Sequence, residues 1–277
     1  MTRKLWVAAL TASTLLAAPA LADDHEEAEP SFFDGEFSAN VAITSDYRFR
    51  GISQTFGDVA VQGGFDWASD MFYVGVWGSS VDFNDAISNP FTGETVQDGT
   101  SAEVDLYFGF TPTVGDVGLD FGFIYYMYPE APQGEYNLTC TGICPAIPPI
   151  TIDIPDQNYI ELFGAASYTA GIVDLGVSLT YSPEYYYETG DVFIPDLSAS
   201  VPLGEAIMVG ESEMSFSLHG NVSYLFFSDD DLAFDYGHYG VGVTATYYGI
   251  DFDVSYIDTF DLPGNDGSAV FTISKSF

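Results

Sequence analysis

The chain alternates apolar and polar residues with a period of two over many short segments, which limits the folds it can adopt. At its end, Phe271, Ile273 and Phe277 share one face, while Thr272 and Ser274 lie on the other. This period is typical of β-strands with one apolar and one polar side. No segment beyond the N-terminus approaches the ~20 continuous apolar residues of a membrane helix. Any membrane-spanning part must therefore be a β-barrel.

About twelve strand candidates follow from this pattern. They cover residues 37–50, 59–68, 71–82, 102–112, 117–128, 157–170, 172–187, 191–202, 213–227, 237–248, 250–259 and 268–277. Their connections alternate between short turns and long links, as in bacterial barrels with short periplasmic turns and longer outer loops. The 203–212 link is long for a tight turn, so ten or fourteen strands remain alternatives.

Aromatic residues separate the barrel from a soluble β-sandwich, which would show the same alternation with its apolar faces packed together. Trp67, Tyr247 and Tyr248 adjoin short turns. The aromatics beside long links are Tyr125, Tyr126, Tyr128, Tyr185, Tyr186, Tyr187, Phe226 and Phe227. Two clusters at opposite strand ends are what two membrane interfaces select. We therefore predict an all-β fold, a closed antiparallel transmembrane β-barrel of about twelve strands.

The N-terminus has the order of a secretory signal: basic Arg3 and Lys4, an apolar stretch, then small residues ending at Ala22. We predict a signal peptide in 1–22, an acidic disordered leader in 23–35 and the barrel in 36–277. The expected location is the bacterial outer membrane, after export to the periplasm. The last strand resembles that of outer-membrane barrels, where a final aromatic such as Phe277 belongs to the signal that the assembly machinery reads.

The charge balance excludes one class of partner. The formal net charge is -36, and without Arg3 and Lys4 only Arg48, Arg50 and Lys275 oppose 41 acidic residues. Phosphate contacts require basic side chains, so nucleic acid is not an expected partner. The 47% hydrophobic and 16% aromatic content argues against a disordered chain. We expect outer-membrane lipid, the assembly machinery and small solutes as partners.

The two cysteines, Cys140 and Cys144, are separated by three residues. A zinc site would need two further ligands, and no histidine lies nearby. A small loop disulfide in an oxidising compartment is the favoured interpretation, with two free thiols as the alternative. No metal and no cofactor are predicted.

Several segments resemble one protein family. The run 45–54 (SDYRFRGISQ) is similar to the N-terminal signature of the TorF family of porin-like proteins, also called Gcw_chp. Segments 62–66 (QGGFD), 72–77 (FYVGVW), 103–109 (EVDLYFG) and 159–164 (YIELFG) continue the likeness. The resemblance implies an outer-membrane barrel, and a porin. It implies no defined substrate and no catalytic residue set.

Charged residues on the polar strand faces are the candidate pore lining. They are Asp46, Arg48, Arg50, Asp66, Glu103, Asp105, Asp120, Glu161, Asp174, Asp251 and Asp253. Such a lumen would attract cations. The alternative is that the carboxylates are merely solvated and set no preference. We expect Arg48 and Arg50 to share one strand face and to brace the lumen by pairing with Asp46, Glu103 or Asp105; contact with an anionic solute is the alternative.

The leading functional hypothesis is a channel for passive passage of small cationic or neutral solutes. A second hypothesis is a non-conducting barrel with a structural or surface-binding role, its lumen filled by Tyr73, Trp77, Tyr107 and Tyr126. A soluble secreted β-sandwich is the third. These classes differ in membrane partitioning and in conductance.

Enzyme activity is not predicted. His219 and His238 face the expected lumen, but neither lies in a recognisable nucleophile motif. Asp229, Asp230, Asp231 and Asp235 could bind Ca²⁺ in an outer loop, yet they lack the spacing and glycine of a calcium loop. A solvated loop is the favoured interpretation.

Overall fold

A computed structural model describes residues 35–83, 86–88, 95–97, 99–129, 131–138, 150–229 and 233–277. The long strands are β1 (Glu36–Thr44), β2 (Ala60–Ala68), β3 (Phe72–Phe83), β4 (Thr100–Phe110), β5 (Val117–Met127), β6 (Tyr159–Ala170), β7 (Val173–Ser182), β8 (Val192–Pro202), β9 (Ser212–Phe227), β10 (Tyr236–Tyr247), β11 (Ile250–Phe260) and β12 (Ser268–Ser276). Within these ranges, helical structure amounts to one 3₁₀ turn, Tyr186–Glu188. No helix in this part of the chain has the length and apolar character to cross a membrane.

The twelve strands form one closed ring. Each strand pairs antiparallel with the next along the chain. β12 then returns to β1, with Asn40 opposite Ser276 and Thr44 opposite Thr272. The Phe277 amide extends this seam by donating to the Ala39 carbonyl at 2.9 Å. The predicted twelve-strand barrel is confirmed and the sandwich alternative is wrong, because the sheet closes on itself and has no edge.

The 203–212 link is part of a hairpin extension and not an additional wall strand. Ile207–Val209 pairs with Ser212–Met214 at the start of β9. Ile207, Met208 and Val209 are all exposed. The extension therefore lengthens one short-turn connection without changing the strand count. It resolves the ten- and fourteen-strand alternatives in favour of twelve.

The two faces of the wall differ as the alternation predicts. On β8, Leu197 is 58% exposed while the neighbouring Asp196 is 5% exposed, and on β11 Val254 and Asp253 differ in the same way. The apolar residues therefore point outward and the polar residues inward. This is the reverse of a soluble protein and is the arrangement of a barrel surrounded by lipid.

Inward glycines accommodate aromatic rings from the neighbouring strand. Tyr73 lies opposite Gly109, and Tyr107 lies opposite Gly75. A Cβ atom at Gly109 would come within 2.3 Å of the Tyr73 ring, and one at Gly75 within 2.4 Å of the Tyr107 ring. The rings lie flat over the glycines, which fixes their direction along the inner wall.

We predict that Gly109→Ala will destabilise the barrel by about 1 to 3 kcal/mol, because the added methyl overpacks this contact. The Tyr73 ring must move, and its hydrogen bond to Asp120 at 3.1 Å must lengthen. Urea unfolding of the refolded barrel in detergent measures the change. Gly99→Ala is the matched control, since a Cβ there meets no atom within 4 Å. Equal unfolding midpoints for the two variants would contradict the contact.

Candidate functional site

Residues 45–58, here called the inner loop, leave the end of β1, and residues 46–51 of this loop are buried inside the barrel. Tyr47 is 1% exposed, and Phe49, Arg48 and Arg50 are also buried. Within the loop, the Gln54 amide donates a hydrogen bond to the Tyr47 carbonyl at 2.7 Å. The loop is tied to β3 where the Asp82 amide donates to the Gln54 carbonyl at 2.8 Å. The expected strand 37–50 is therefore too long: the wall strand ends at Thr44, and the arginines lie on a loop inside the lumen.

The tip of the inner loop is a tight hairpin. Arg48–Phe49 pairs with Ile52–Ser53. Arg50 and Gly51 between them both have positive φ, 50° and 83°, as a two-residue type I′ turn requires. A Cβ at Gly51 would lie 2.5 Å from Thr259 Cγ2 and 2.9 Å from His238 Cβ. Glycine at this position thus allows the tip to pack against β10 and β11.

Asp46 braces the inner loop from within. Its carboxylate accepts hydrogen bonds from Arg48 Nε at 2.7 Å, Ser53 Oγ at 2.6 Å and Thr55 Oγ1 at 3.1 Å. Arg48 Nη1 also donates to the carbonyls of Gly51 and Asp266, each at 3.0 Å. The Arg48–Asp46 pairing was among the expected ones. Both residues belong to the loop and not to the barrel wall.

Arg50 anchors the tip to the far wall. Its Nη1 and Nη2 donate to the two Glu161 oxygens at 2.7 and 2.9 Å, a bidentate pair. Glu161 also accepts from the Tyr126 hydroxyl at 3.2 Å, and Arg50 donates to the Tyr185 hydroxyl at 3.1 Å. Glu161 lies on β6, five strands from β1 around the ring. The inner loop, which leaves β1, therefore reaches across the lumen to make this pair. The prediction that Arg50 pairs with Asp46, Glu103 or Asp105 is therefore wrong.

Glu103 and Asp105 face the inner loop from β4. The Tyr47 hydroxyl donates to Glu103 Oε1 at 3.3 Å. Burial and the charge of Glu103 raise the pKa of Tyr47, so this phenol stays a proton donor. Glu103 Oε2 and Asp105 Oδ1 are both buried and have no hydrogen-bond partner in the described part of the chain. These two carboxylates are the least satisfied of the predicted lining residues.

An aromatic cluster surrounds the inner loop in the half of the barrel that carries the long links. Its buried members include Tyr47, Phe49, Trp77, Tyr126, Tyr128, Tyr159 and Phe163. The ring centroids of Tyr47 and Trp77 are 5.7 Å apart, and those of Tyr126 and Tyr159 are 4.5 Å apart. Tyr185 and Tyr186 pack against the cluster. Placing Tyr126, Tyr128, Tyr185 and Tyr186 at a membrane interface was therefore wrong.

The short-turn half is the half of the barrel whose strands are joined by the short turns. The five predicted lining carboxylates in this half each have a side-chain partner. Tyr107 donates to Asp66, Tyr73 to Asp120, Thr169 to Asp174 and Thr246 to Asp251. Asp253 contacts His219 Nε2 at 2.6 Å and accepts from Thr244 and Ser255. These five residues lie on the inner wall, on the face that the sequence indicates.

The histidines occupy different surroundings. His219 is bound to Asp253, and Ser255 donates to that same carboxylate and not to the imidazole. A hydrolase triad needs the serine hydroxyl on the histidine. His238 is buried beside the inner loop. Among the described residues, no group of three or more His, Cys, Asp or Glu side chains could hold a metal ion.

Some predictions fall outside the described residues. They concern the signal peptide 1–22, the leader up to residue 34, the Cys140–Cys144 disulfide, and Asp230 and Asp231 of the acidic run. All of these stay predictions. Asp235, by contrast, is described, and it accepts a hydrogen bond from the Phe227 amide at 2.7 Å.

The closed wall, with its apolar outside and polar inside, makes this protein a transmembrane β-barrel of the outer-membrane type. The interior is crossed by a loop held through ion pairs. The chain belongs to the Gcw_chp family, described as a bacterial protein of unknown function, whose model matches residues 27–276.

Solved structures of similar architecture include barrels of different kinds. A porin is 16% identical, covering 79% of this chain and 62% of its own, with a TM-score of 0.38. LpxR from Salmonella typhimurium is 10% identical, covering 87% and 99%, with a TM-score of 0.43. An outer membrane channel from Pseudomonas putida F1 is 11% identical, covering 91% and 100%, with a TM-score of 0.41. The chain thus spans less than two thirds of the porin, and such distant likenesses do not assign an activity. No curated protein matches the sequence.

Proposed function

We propose that this barrel lies in a bacterial outer membrane and passes small solutes through a lumen narrowed by the inner loop. The observation that carries the proposal is the bidentate Arg50–Glu161 pair, which fixes a folded loop across a wall lined with polar side chains. A loop anchored in this way sets the width of a passage and places charges where a solute must travel. The porin assignment within the TorF family is part of this proposal.

Cation preference follows from the charges around the inner loop. Arg48 pairs with Asp46 and Arg50 pairs with Glu161, so these four residues contribute no net charge. Glu103 and Asp105 remain without a basic partner, and the short-turn half adds Asp66, Asp120, Asp174, Asp251 and Asp253. In a bore whose radius is comparable with the ~8 Å screening length of physiological salt, these charges act together on a passing ion.

Membrane and assembly partners follow from the outside of the wall. The outward apolar residues would contact lipid, and the short turns would face the periplasm. Phe277 is exposed and lies beside the seam that closes the ring, where Lys275 Nζ sits 5.4 Å from the Phe277 ring centroid. An assembly factor that recognises the last strand would therefore find its aromatic end accessible before closure.

Single-channel recording tests the proposal. The chain, refolded in detergent, is checked for a closed barrel by comparing unheated and boiled gel migration, and is then added to planar bilayers. Steady, small conductance steps are expected, with a reversal potential in a KCl gradient that indicates K⁺ preference. Silence from correctly folded protein would contradict the channel.

The aromatic cluster favours a second candidate, a non-conducting barrel. Trp77 and Tyr126 are buried against the inner loop, as that hypothesis requires, while Tyr73 and Tyr107 are partly buried. A packed cluster of this kind could close the lumen and leave a structural or surface-binding role. The same recordings decide between the two, because a plugged barrel folds normally but carries no current.

Neutralising Arg48 tests the charge argument within the inner loop. Arg48→Gln leaves Asp46 without its basic partner, so we predict a severalfold higher ratio of cation to anion permeability. Reversal potentials in a KCl gradient measure the ratio. Lys275→Gln is the control, because Lys275 lies at the opposite end of the barrel, near the C-terminus. An identical reversal potential for Arg48→Gln and the parent protein would place Arg48 away from the ion path.

A further inference from the structure

Glu103 and Asp105 form a buried acidic site in the barrel. We propose that the two carboxylates, together with Trp77, Tyr47 and Tyr126, bind a small alkylammonium cation. The inference extends the proposed channel, since it names a class of solute that the lumen would select. Binding itself does not require conductance, so the two proposals can fail separately.

The first argument is the unmet hydrogen-bonding capacity of the carboxylates. Glu103 and Asp105 are both more than nine-tenths buried. Glu103 Oε2 and Asp105 Oδ1 have no partner among the residues that the structure describes. A buried ionised carboxylate without a partner is unstable by several kcal/mol unless a proton or a cation accompanies it. A cationic donor beside these two oxygens, which lie on one strand two residues apart, would supply both the positive charge and the hydrogen bonds that they lack.

The second argument comes from comparison with the other inward carboxylates. Asp46 and Glu161 are each held by an arginine. Asp66, Asp120, Asp174, Asp251 and Asp253 each contact a hydroxyl or an imidazole. The fold therefore supplies partners to the rest of the set. Both arginines are already engaged, so neither is free to neutralise Glu103 or Asp105.

The third argument concerns the aromatic faces. Asp105 lies directly opposite Trp77 on β3 and opposite Tyr126 on β5, so both aromatic residues are its cross-strand neighbours on the inner wall. The Tyr47 ring packs on Trp77 from the inner loop and its hydroxyl reaches Glu103. Aromatic faces attract cations most strongly when the site excludes water, and alkylammonium groups are the ligands that combine a positive charge with apolar surface.

Two carboxylates and three aromatic rings do not suit a hard metal ion such as Ca²⁺ or Mg²⁺. Calcium takes about six to eight oxygen ligands, and magnesium about six in octahedral geometry. The described residues hold no cluster of three or more metal-ligating side chains. Two carboxylates surrounded by rings instead match an ammonium group, whose N–H bonds can reach the carboxylate oxygens while its carbon side contacts the rings.

Tryptophan fluorescence tests the site directly. Outside the predicted signal peptide the chain has two tryptophans, Trp67 and Trp77, so Trp67→Phe leaves Trp77 as the only reporter. The folded barrel in detergent is titrated with methylammonium chloride and, separately, with NaCl and CaCl₂ at constant ionic strength. We expect a saturable change with methylammonium alone. Asp105→Asn should weaken this binding by about tenfold or more, since it removes a charge-assisted hydrogen bond.

Asp251→Asn is the matched control, because Asp251 is an inward carboxylate at the other end of the barrel and should leave the affinity unchanged. Glu103→Gln provides a second variant if the migration of unheated and boiled samples shows that Asp105→Asn does not fold. A flat titration, an equal response to NaCl, or an affinity that both variants leave unaltered would overturn the site. Conductance without methylammonium binding would reject this inference and retain the channel. Methylammonium binding to a folded barrel that carries no current would retain this site and contradict the channel.

Discussion

Replacing Arg50 by alanine is expected to lower the stability of the barrel by about 3 to 5 kcal/mol and to increase its conductance. Glu161 is 0% exposed, so the substitution leaves a buried charge without its partner, which is the costly way to break such a pair. It also removes the bidentate contact that ties the hairpin tip to β6. A released tip no longer spans the lumen, and larger, noisier current steps should follow.

The double variant Arg50→Met/Glu161→Met separates the two effects. Replacing both members of a buried ion pair by apolar residues of similar size is often neutral for stability. We therefore expect the urea midpoint to return close to that of the parent protein while the conductance stays high. Lys275→Ala controls for the loss of a basic residue outside the lumen. If Arg50→Ala changes neither the midpoint nor the current, the inner loop is not held by this pair.

The barrel itself could be predicted from the sequence because its rules are local. A period of two assigns each side chain to one face, and turns such as the one at Gly249 limit where strands can end. Closure adds no new local requirement, since β12 pairs with β1 by the same ladder as every other neighbour. Strand order and facing are therefore contained in short segments, whereas the strand number also depended on how the 203–212 link pairs.

The inner loop could not be predicted in the same way. Tyr47 and Phe49 alternate with Arg48 and Arg50, which is what a wall strand would also show. What turns this segment inward is the partner of Arg50, and Glu161 lies 111 residues further along the chain. Gly51 directly after Arg50 was the one local signal, since a two-residue turn with positive φ at both positions favours glycine there.

The alternation of faces along a strand already indicated which aromatic residues point inward. Tyr126 follows Asp120 by six residues on the same strand, so the two share a face. Since Asp120 points inward, Tyr126 must do so too, and position near a long link alone does not make it an interface residue. The inward glycines Gly75 and Gly109 likewise indicate space for rings, but only the register identifies Tyr107 and Tyr73 as their occupants.

Neutralising both Glu103 and Asp105 is expected to abolish most of the cation preference. At an effective dielectric constant of about 20, a unit charge ~8 Å from a passing ion contributes about 2 kcal/mol. Glu103 and Asp105 are buried next to the inner loop, and in their ionised form they act on an ion that passes this loop. The double variant Glu103→Gln/Asp105→Asn should therefore reduce the ratio of K⁺ to Cl⁻ permeability by about tenfold or more.

Reversal potentials across a KCl gradient give this ratio, and Asp174→Asn/Asp251→Asn is the control with the same change in net charge. Asp174 and Asp251 accept hydrogen bonds from Thr169 and Thr246 in the short-turn half of the barrel. A much smaller shift is expected there, because Asp174 and Asp251 are less buried than Glu103 and Asp105 and water screens their charges more strongly. Equal shifts in both double variants would mean that selectivity arises from total charge. A larger shift at Glu103 and Asp105 locates it at the wall that the inner loop faces.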